Sequence, residues 1–198
     1  MLAHVLLAAA LAAGSGDDED WKFGLTPWFA VGHSWSAWPA DDAMPVRRGL
    51  GIEFNVHALA VTPSERFAVG LTSGFVVFGT LPVMGDSTGP SDGLSVYGLQ
   101  VLPIVMLQLI DSLSLHARGG YVFSALTPPG SIEEFGAGLV RFGGGVTIIP
   151  IQTYAANIGF QLEVMRTQQV AVATGGPVGT FAATTITLGA GISFNPGL

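Results

Sequence analysis

The chain of 198 residues contains no cysteine and carries little charge. The lack of cysteine excludes disulfide bonds, thiol catalysis and cysteine-ligated metal sites. Charged residues make up 11% of the chain, about half the fraction of an ordinary soluble domain. With seven Lys and Arg against fourteen Asp and Glu, the net charge of −7 gives no basic surface for a nucleic acid. Because 49% of the residues are hydrophobic, the chain is too apolar to be disordered, and its composition favours a membrane protein.

The first 16 residues have the pattern of a secretory signal. An apolar run from Val5 to Ala13 is followed by small residues and then by the acidic run 17–20, although no Lys or Arg precedes the apolar run. Such a run is too short to span a bilayer, which takes about 20 residues. A short buried helix and an N-terminal anchor are the alternatives. We expect a cleaved signal peptide at 1–16 and a mature domain at 17–198.

Three stretches without charge, 67–85, 93–110 and 167–198, resemble transmembrane helices in hydropathy. However, Gly, Thr and Pro are scattered through them, and these residues disfavour helix interiors. Several segments instead alternate with period two: at 50–60 the even positions are apolar, whereas the odd positions include Glu53, Asn55 and His57. Because successive side chains of a strand point to opposite faces, this alternation predicts strands with one lipid-facing and one polar side.

The same period predicts eight strands, at about 21–36, 47–62, 65–81, 94–110, 113–126, 135–149, 153–168 and 180–194. Long connections alternate with short turns, which places both ends of the series on the short-turn side. A sheet in hydrocarbon cannot leave an edge unpaired, so it must close on itself. We therefore predict an all-β fold, an eight-stranded antiparallel up-and-down transmembrane β-barrel.

On these features, residues 17–198 resemble the small outer-membrane β-barrels of the outer-membrane protein A-like class. Aromatic residues near the strand ends fit the interfacial girdles of such barrels: Trp21, Phe23, Trp35, Trp38, Tyr154 and Phe194. The resemblance implies a monomer in the outer membrane of a Gram-negative bacterium with both termini in the periplasm, in contact with membrane lipid and lipopolysaccharide. In this class the assembly machinery reads an aromatic residue at the end of the last strand. Phe194 fits that role, although residues 195–198 follow it.

Side-chain parity also predicts the contents of the lumen, which in an eight-stranded barrel is narrow enough to be filled by side chains. Its buried charges must be paired, because an unpaired buried ion is costly. Arg141 and Glu163 are equally distant from residue 152, so we expect them to face each other across the sixth and seventh strands, with Glu53 and Arg118 completing an ion-pair network. The full inward polar set is Lys22, Glu53, Asn55, His57, Gln100, Gln108, His116, Arg118, Arg141, Asn157, Gln161 and Glu163.

The expected function is that of a non-enzymatic barrel, structural or surface-binding through its extracellular loops, with a plugged lumen and without metal or cofactor. Two alternatives remain open. His33 with Asp86 and Ser87 is similar to the rim site of lipid A palmitoyltransferase barrels, which would imply acyl transfer, although the amphipathic N-terminal helix of that family has no counterpart in this sequence. The second alternative is a small channel gated by the lumen ion pairs.

Overall fold

A computed structural model describes residues 21–37, 47–62, 64, 66–79, 95–127, 134–152, 156–172 and 181–194. These residues form a closed barrel of eight antiparallel strands in chain order, with β1 pairing with both β2 and β8. Among them there is no helix long and apolar enough to cross a membrane. The strands are β1 Lys22–Ala37, β2 Arg47–Val61, β3 Phe67–Gly79, β4 Ser95–Ile110, β5 Leu113–Thr127, β6 Phe135–Gln152, β7 Ala156–Val172 and β8 Ala182–Phe194. The predicted architecture is confirmed.

The outer wall is a belt of large apolar side chains. On β2, for example, Ile52 and Phe54 are exposed, whereas Glu53 between them is fully buried. The same alternation puts exposed Leu, Ile, Val or Phe side chains on every strand. A barrel surrounded by lipid requires a closed sheet, because closure pairs the backbone polar groups of all its strands. It also requires an apolar outer face, because that face contacts hydrocarbon.

The two ends of the barrel differ in their connections. At one end of the barrel, called below the short-turn end, only a few residues separate β2 from β3, β4 from β5 and β6 from β7. The connections at 38–46, 80–94, 128–134 and 173–181 leave from the opposite, long-loop end. Leu25 near the start of β1 pairs with Phe194 at the end of β8, so both described ends of the chain lie at the short-turn end. The predicted signal peptide, 1–16, lies outside the described residues.

The register between β6 and β7 differs from the prediction. β6 continues to Gln152, and an irregularity between Ile148 and Ile151 shifts the pairing. Gly145 therefore lies opposite Glu163, and Arg141 lies opposite Thr167. The expectation that Arg141 and Glu163 face each other is wrong, because the hairpin turns after residue 152 rather than around it.

The interior consists of three layers. Apolar side chains fill the long-loop end and form what is called below the apolar layer: Val76, Phe78, Val96, Val122, Leu126, Ala137, Leu139, Phe181 and Ala183. Charged side chains occupy the middle of the lumen. Towards the short-turn end lies a cavity of about 90 Å³, whose lining includes Trp28, His57, Met106 and His116.

Trp28 points into the lumen, and two glycines make room for its ring. The side chain is buried, and its indole lies 5.9 Å from the His57 ring, centroid to centroid. A Cβ on Gly191 would come within 2.4 Å of the indole, and a Cβ on Gly159 within 3.0 Å. Only glycine fits at Gly191 without displacing the indole, so these glycines leave room for the Trp28 ring of β1 against the inner side of β7 and β8.

Candidate functional site

The four predicted lumen charges meet in one buried cluster, the ion layer, which consists of Glu53, Arg118, Arg141 and Glu163. They come from β2, β5, β6 and β7, and each occupies an inward position of its strand. The layer lies between the apolar layer and the cavity. Two guanidinium groups and two carboxylates give it no net formal charge.

Arg118 connects the two carboxylates. Its Nη2 donates a hydrogen bond of 2.8 Å to Oε2 of Glu53, and its Nε donates one of 2.6 Å to Oε1 of Glu163. The same Nη2 also donates to Oε2 of Glu163. Arg118 thus holds Glu163 in a two-pronged pair while it reaches Glu53, a geometry that the planar guanidinium favours.

Arg141 completes the layer from β6, the strand next to the one that carries Arg118. Its Nη2 donates to Oε1 of Glu53, and its Nη1 donates to Oε1 of Gln100 at 2.7 Å. The Arg141 Cζ lies 5.1 Å from the centre of the Phe78 ring, which belongs to the apolar layer. The apolar and ion layers are therefore in direct contact, and the ion pairs of the ion layer are buried.

Two amides support Glu53. The Gln100 amide nitrogen donates to the Asn55 side-chain oxygen at 2.6 Å, and the Asn55 amide nitrogen donates to Oε2 of Glu53 at 3.0 Å. Burying four charges is costly unless hydrogen bonds satisfy their remaining donors and acceptors. Within the described part of the chain, Arg118 Nη1 and Arg141 Nε are the buried guanidinium nitrogens left without a hydrogen-bond partner.

The two lumen histidines are hydrogen-bonded interior residues. His57 Nδ1 lies 2.7 Å from the Thr72 hydroxyl. His116 Nε2 lies 2.8 Å from the Gln161 amide nitrogen, and its Nδ1 lies 3.2 Å from the Thr147 hydroxyl. The same Nε2 lies 3.3 Å from Oε1 of Glu163, so His116 also adjoins the ion layer.

The predicted rim site is only partly described. His33 is exposed on the outer wall of β1, and its ring lies 4.5 Å from that of Trp35 in an edge-on arrangement. Asp86 and Ser87 lie outside the described residues, so the predicted site stays a prediction. Among the residues that are described, no group of three His, Cys, Asp or Glu could hold a metal ion.

The predicted aromatic girdle also lies partly outside the described chain. Trp21 precedes β1, Phe23 is 67% exposed near its start, and Trp35 lies on its outer face near the long-loop end. Phe194 ends β8, whereas Trp38 and Tyr154 are outside the described residues.

The sequence analysis missed a second group of outward aromatic side chains near the long-loop end, on β3, β4 and β5. The Phe75 and Tyr97 rings lie 6.5 Å apart, and those of Tyr121 and Phe123 lie 4.8 Å apart. The Tyr97 hydroxyl donates to Glu134 at 2.5 Å. Strand parity would have found this group, because Tyr97, Tyr121 and Phe123 share the outward positions of the neighbouring leucines and valines.

Neither a protein-family model nor a curated protein matches this sequence. Solved structures do match. Neisserial surface protein A is 10% identical, with 86% of this chain and 96% of that chain covered at a TM-score of 0.57. The attachment invasion locus protein Ail of Yersinia pestis is 15% identical, with 86% and 99% covered at a TM-score of 0.48. At such identities the likeness concerns the fold alone, and the chain has the fold of the small eight-stranded outer-membrane β-barrels.

Proposed function

We propose that this protein is a non-enzymatic integral outer-membrane β-barrel whose lumen is plugged by its own side chains. Its role is structural or surface-binding, through its lipid-facing wall and its extracellular loops. The observation that carries the proposal is the series arrangement of the ion layer and the apolar layer along the lumen.

The two layers support a plugged lumen in different ways. An ion that entered from the long-loop end would have to displace Phe78, Phe181 and Leu139, which are almost entirely buried. It would then meet two guanidinium groups that are already paired with carboxylates. The cavity of about 90 Å³ at the short-turn end is lined by no residue of the ion layer or the apolar layer, so it does not continue through them.

The proposed location and partners follow from the topology of the barrel. With an even number of strands and short turns at the end that holds both termini, the orientation typical of such barrels puts that end in the periplasm. The proposal includes a signal peptide at 1–16, a barrel at 17–198, contact with membrane lipid and lipopolysaccharide, and recognition of Phe194 by the assembly machinery. We assign the binding role to the connections at the long-loop end, and we propose a monomer.

Cell fractionation tests the location, and two measurements on the purified full chain test the architecture. The chain is expected in the outer-membrane fraction of a Gram-negative host, and in detergent it is expected to give a β-type circular dichroism spectrum. Its gel mobility is expected to change on boiling, because a closed barrel resists the gel detergent until it is heated. A strongly helical spectrum, or recovery in the inner membrane, would contradict the proposal.

A gated channel is the second candidate, and one observation favours it. Arg118 contacts both Glu53 and Glu163, so it can keep one carboxylate when the other is released. A barrel that opened in this way would conduct ions across a planar bilayer, and Glu163→Gln would abolish that conductance by removing one of the alternative partners. A wild-type barrel that stays silent would support the plugged lumen.

A further inference from the structure

The outer wall carries a row of basic and aromatic side chains that crosses four adjacent strands. Arg166 on β7 pairs with Thr184 on β8, Thr184 pairs with Trp35 on β1, and Trp35 pairs with Arg48 on β2. All four occupy the outward positions of their strands, in alternation with buried residues. These four residues are called the rim row.

The rim row borders directly on the apolar belt. Two residues further into each strand, the corresponding row is Val164, Ile186, His33 and Leu50, and the next is Leu162, Leu188, Val31 and Ile52. Successive rows on one face are about 6–7 Å apart. Both arginines therefore lie one row nearer the long-loop end than apolar side chains of the outer wall.

The row runs obliquely through the interface. Strands in such barrels tilt by about 35–45°, so a row perpendicular to them changes depth by about 9 Å over three strand spacings of about 4.8 Å. Arg48 is the second residue of β2, whereas β7 continues from Arg166 to Val172, which places Arg166 at the deeper end. A long side chain at that depth extends towards the polar interface.

The Arg166 side chain extends along the row rather than away from it. Its Nη1 lies 3.0 Å from the Thr184 hydroxyl on the neighbouring strand, in the direction of Trp35. Neither Arg166 nor Arg48 has a carboxylate partner among the residues that the structure describes. Two arginines about 14 Å apart at their Cα atoms can reach the same ligand over the threonine and the indole.

We propose that the rim row binds the phosphate group of a membrane lipid while the acyl chains of that lipid lie along the apolar rows beneath it. Guanidinium groups bind phosphate oxygens in a two-pronged manner, and an indole at the interface contacts the upper part of the acyl chains. A free anion would not explain why the arginines adjoin an apolar face. The inference deepens the proposed function, on which it rests, because it names the chemical group by which the wall recognises lipid.

Native mass spectrometry of the full chain in detergent tests the proposal, with dioleoyl phosphatidic acid as the probe and dioleoylglycerol as the matched lipid without phosphate. The wild type is expected to retain phosphatidic acid in preference to dioleoylglycerol. The double variant Arg48→Gln with Arg166→Gln is expected to bind phosphatidic acid about tenfold more weakly, since charge-assisted hydrogen bonds are lost at two positions. Arg66→Gln is the control, because Arg66 is exposed at the opposite end of the barrel and is expected to change nothing.

Equal retention of the two lipids, an unchanged affinity in the double variant, or an equal loss in Arg66→Gln would each overturn the proposal. If the Gln variant does not fold, the variant Arg48→Lys with Arg166→Lys keeps both charges and is expected to bind more weakly than the wild type through the loss of two-pronged geometry. A heat-modifiable barrel without phosphate preference would reject the rim row and leave the proposed function standing. A chain that forms no barrel would reject both.

Discussion

Arg141 and Glu53 form an ion pair across the full width of the barrel. Their strands, β6 and β2, lie four positions apart in a ring of eight, so the two side chains start from opposite walls and meet in the lumen. Both side chains are completely buried. The contact therefore ties together parts of the wall that share no backbone hydrogen bond, and the barrel depends on it in a way that strand pairing does not replace.

Loss of the Glu53 carboxylate is expected to destabilise the barrel more than loss of the Glu163 carboxylate. Glu53 is the only carboxylate partner of Arg141 among the described residues, whereas Arg118 keeps Glu53 when Glu163 is replaced. Glu53→Gln is expected to lower the free energy of unfolding by about 3–5 kcal/mol, because it leaves a buried unpaired cation. Glu163→Gln is expected to lower it by about 1–3 kcal/mol. Urea unfolding in detergent micelles measures both.

A double-mutant cycle provides the control for the Arg141–Glu53 pair. Arg141→Gln in the Glu53→Gln background is expected to recover part of the loss, because both buried charges are then gone. Additive effects of the two substitutions would show that the pair is not coupled.

Replacement of Gly191 is expected to disturb the packing of Trp28. The added methyl group of Gly191→Ala would overlap the indole, and such overpacking typically costs about 1–3 kcal/mol. Gly79→Ala is the matched control: a Cβ there meets no atom within 4 Å, so its effect is expected to stay below about 0.5 kcal/mol. Unfolding free energies and tryptophan emission spectra of the two variants provide the measurement. Equal effects at the two glycines would rule out the close approach.

The depth of the apolar belt predicts where a charge can be tolerated. Leu188 lies midway along β8 on the outer face, and Leu188→Arg is expected to cost about 2–4 kcal/mol. Ile110 is equally outward but ends β4 at the short turn, so Ile110→Arg is expected to cost about 0–1 kcal/mol. The measurement is unfolding from lipid vesicles. The same penalty at both sites would mean that the belt does not lie in the membrane as described.

A non-enzymatic barrel predicts that His33 is dispensable for lipid A chemistry. The His33 ring lies against Trp35 on the outer wall. The acyl pattern of lipid A from cells that express His33→Ala is expected to match that from cells that express the wild type, as read by mass spectrometry. A palmitoyl group present with the wild type and missing with the variant would establish the acyltransferase instead.

The strands could be predicted from the sequence because the alternation of apolar and polar residues along a strand does not depend on which strand pairs with it. Glu53 between Ile52 and Phe54 identifies an inward position in a lipid-facing strand whatever lies beside it. The predicted and observed bounds differ by a few residues at most strand ends, where turns and strand extensions compete.

The partners inside the lumen were not accessible in the same way. The expected pairing of Arg141 with Glu163 assumed a hairpin centred on residue 152, whereas Gln152 pairs with Asn157, so the hairpin is centred further along the chain. Contacts across the lumen, such as Arg118 with Glu53, depend on the closure and stagger of the whole barrel, which no single hairpin determines. The rim row likewise becomes visible only when three strand pairings are read together.

Single-channel recording in planar bilayers tests the central proposal, a lumen plugged by the ion and apolar layers, most directly. The wild-type barrel is expected to give no current steps, and Phe29→Ala, which alters only the outer wall, is expected to remain silent. The triple variant Phe78→Ala, Phe181→Ala and Glu53→Gln removes two rings from the apolar layer and the carboxylate that Arg118 and Arg141 share, and it is expected to conduct. Regular current steps from the wild type that disappear in Glu163→Gln would contradict the plugged lumen.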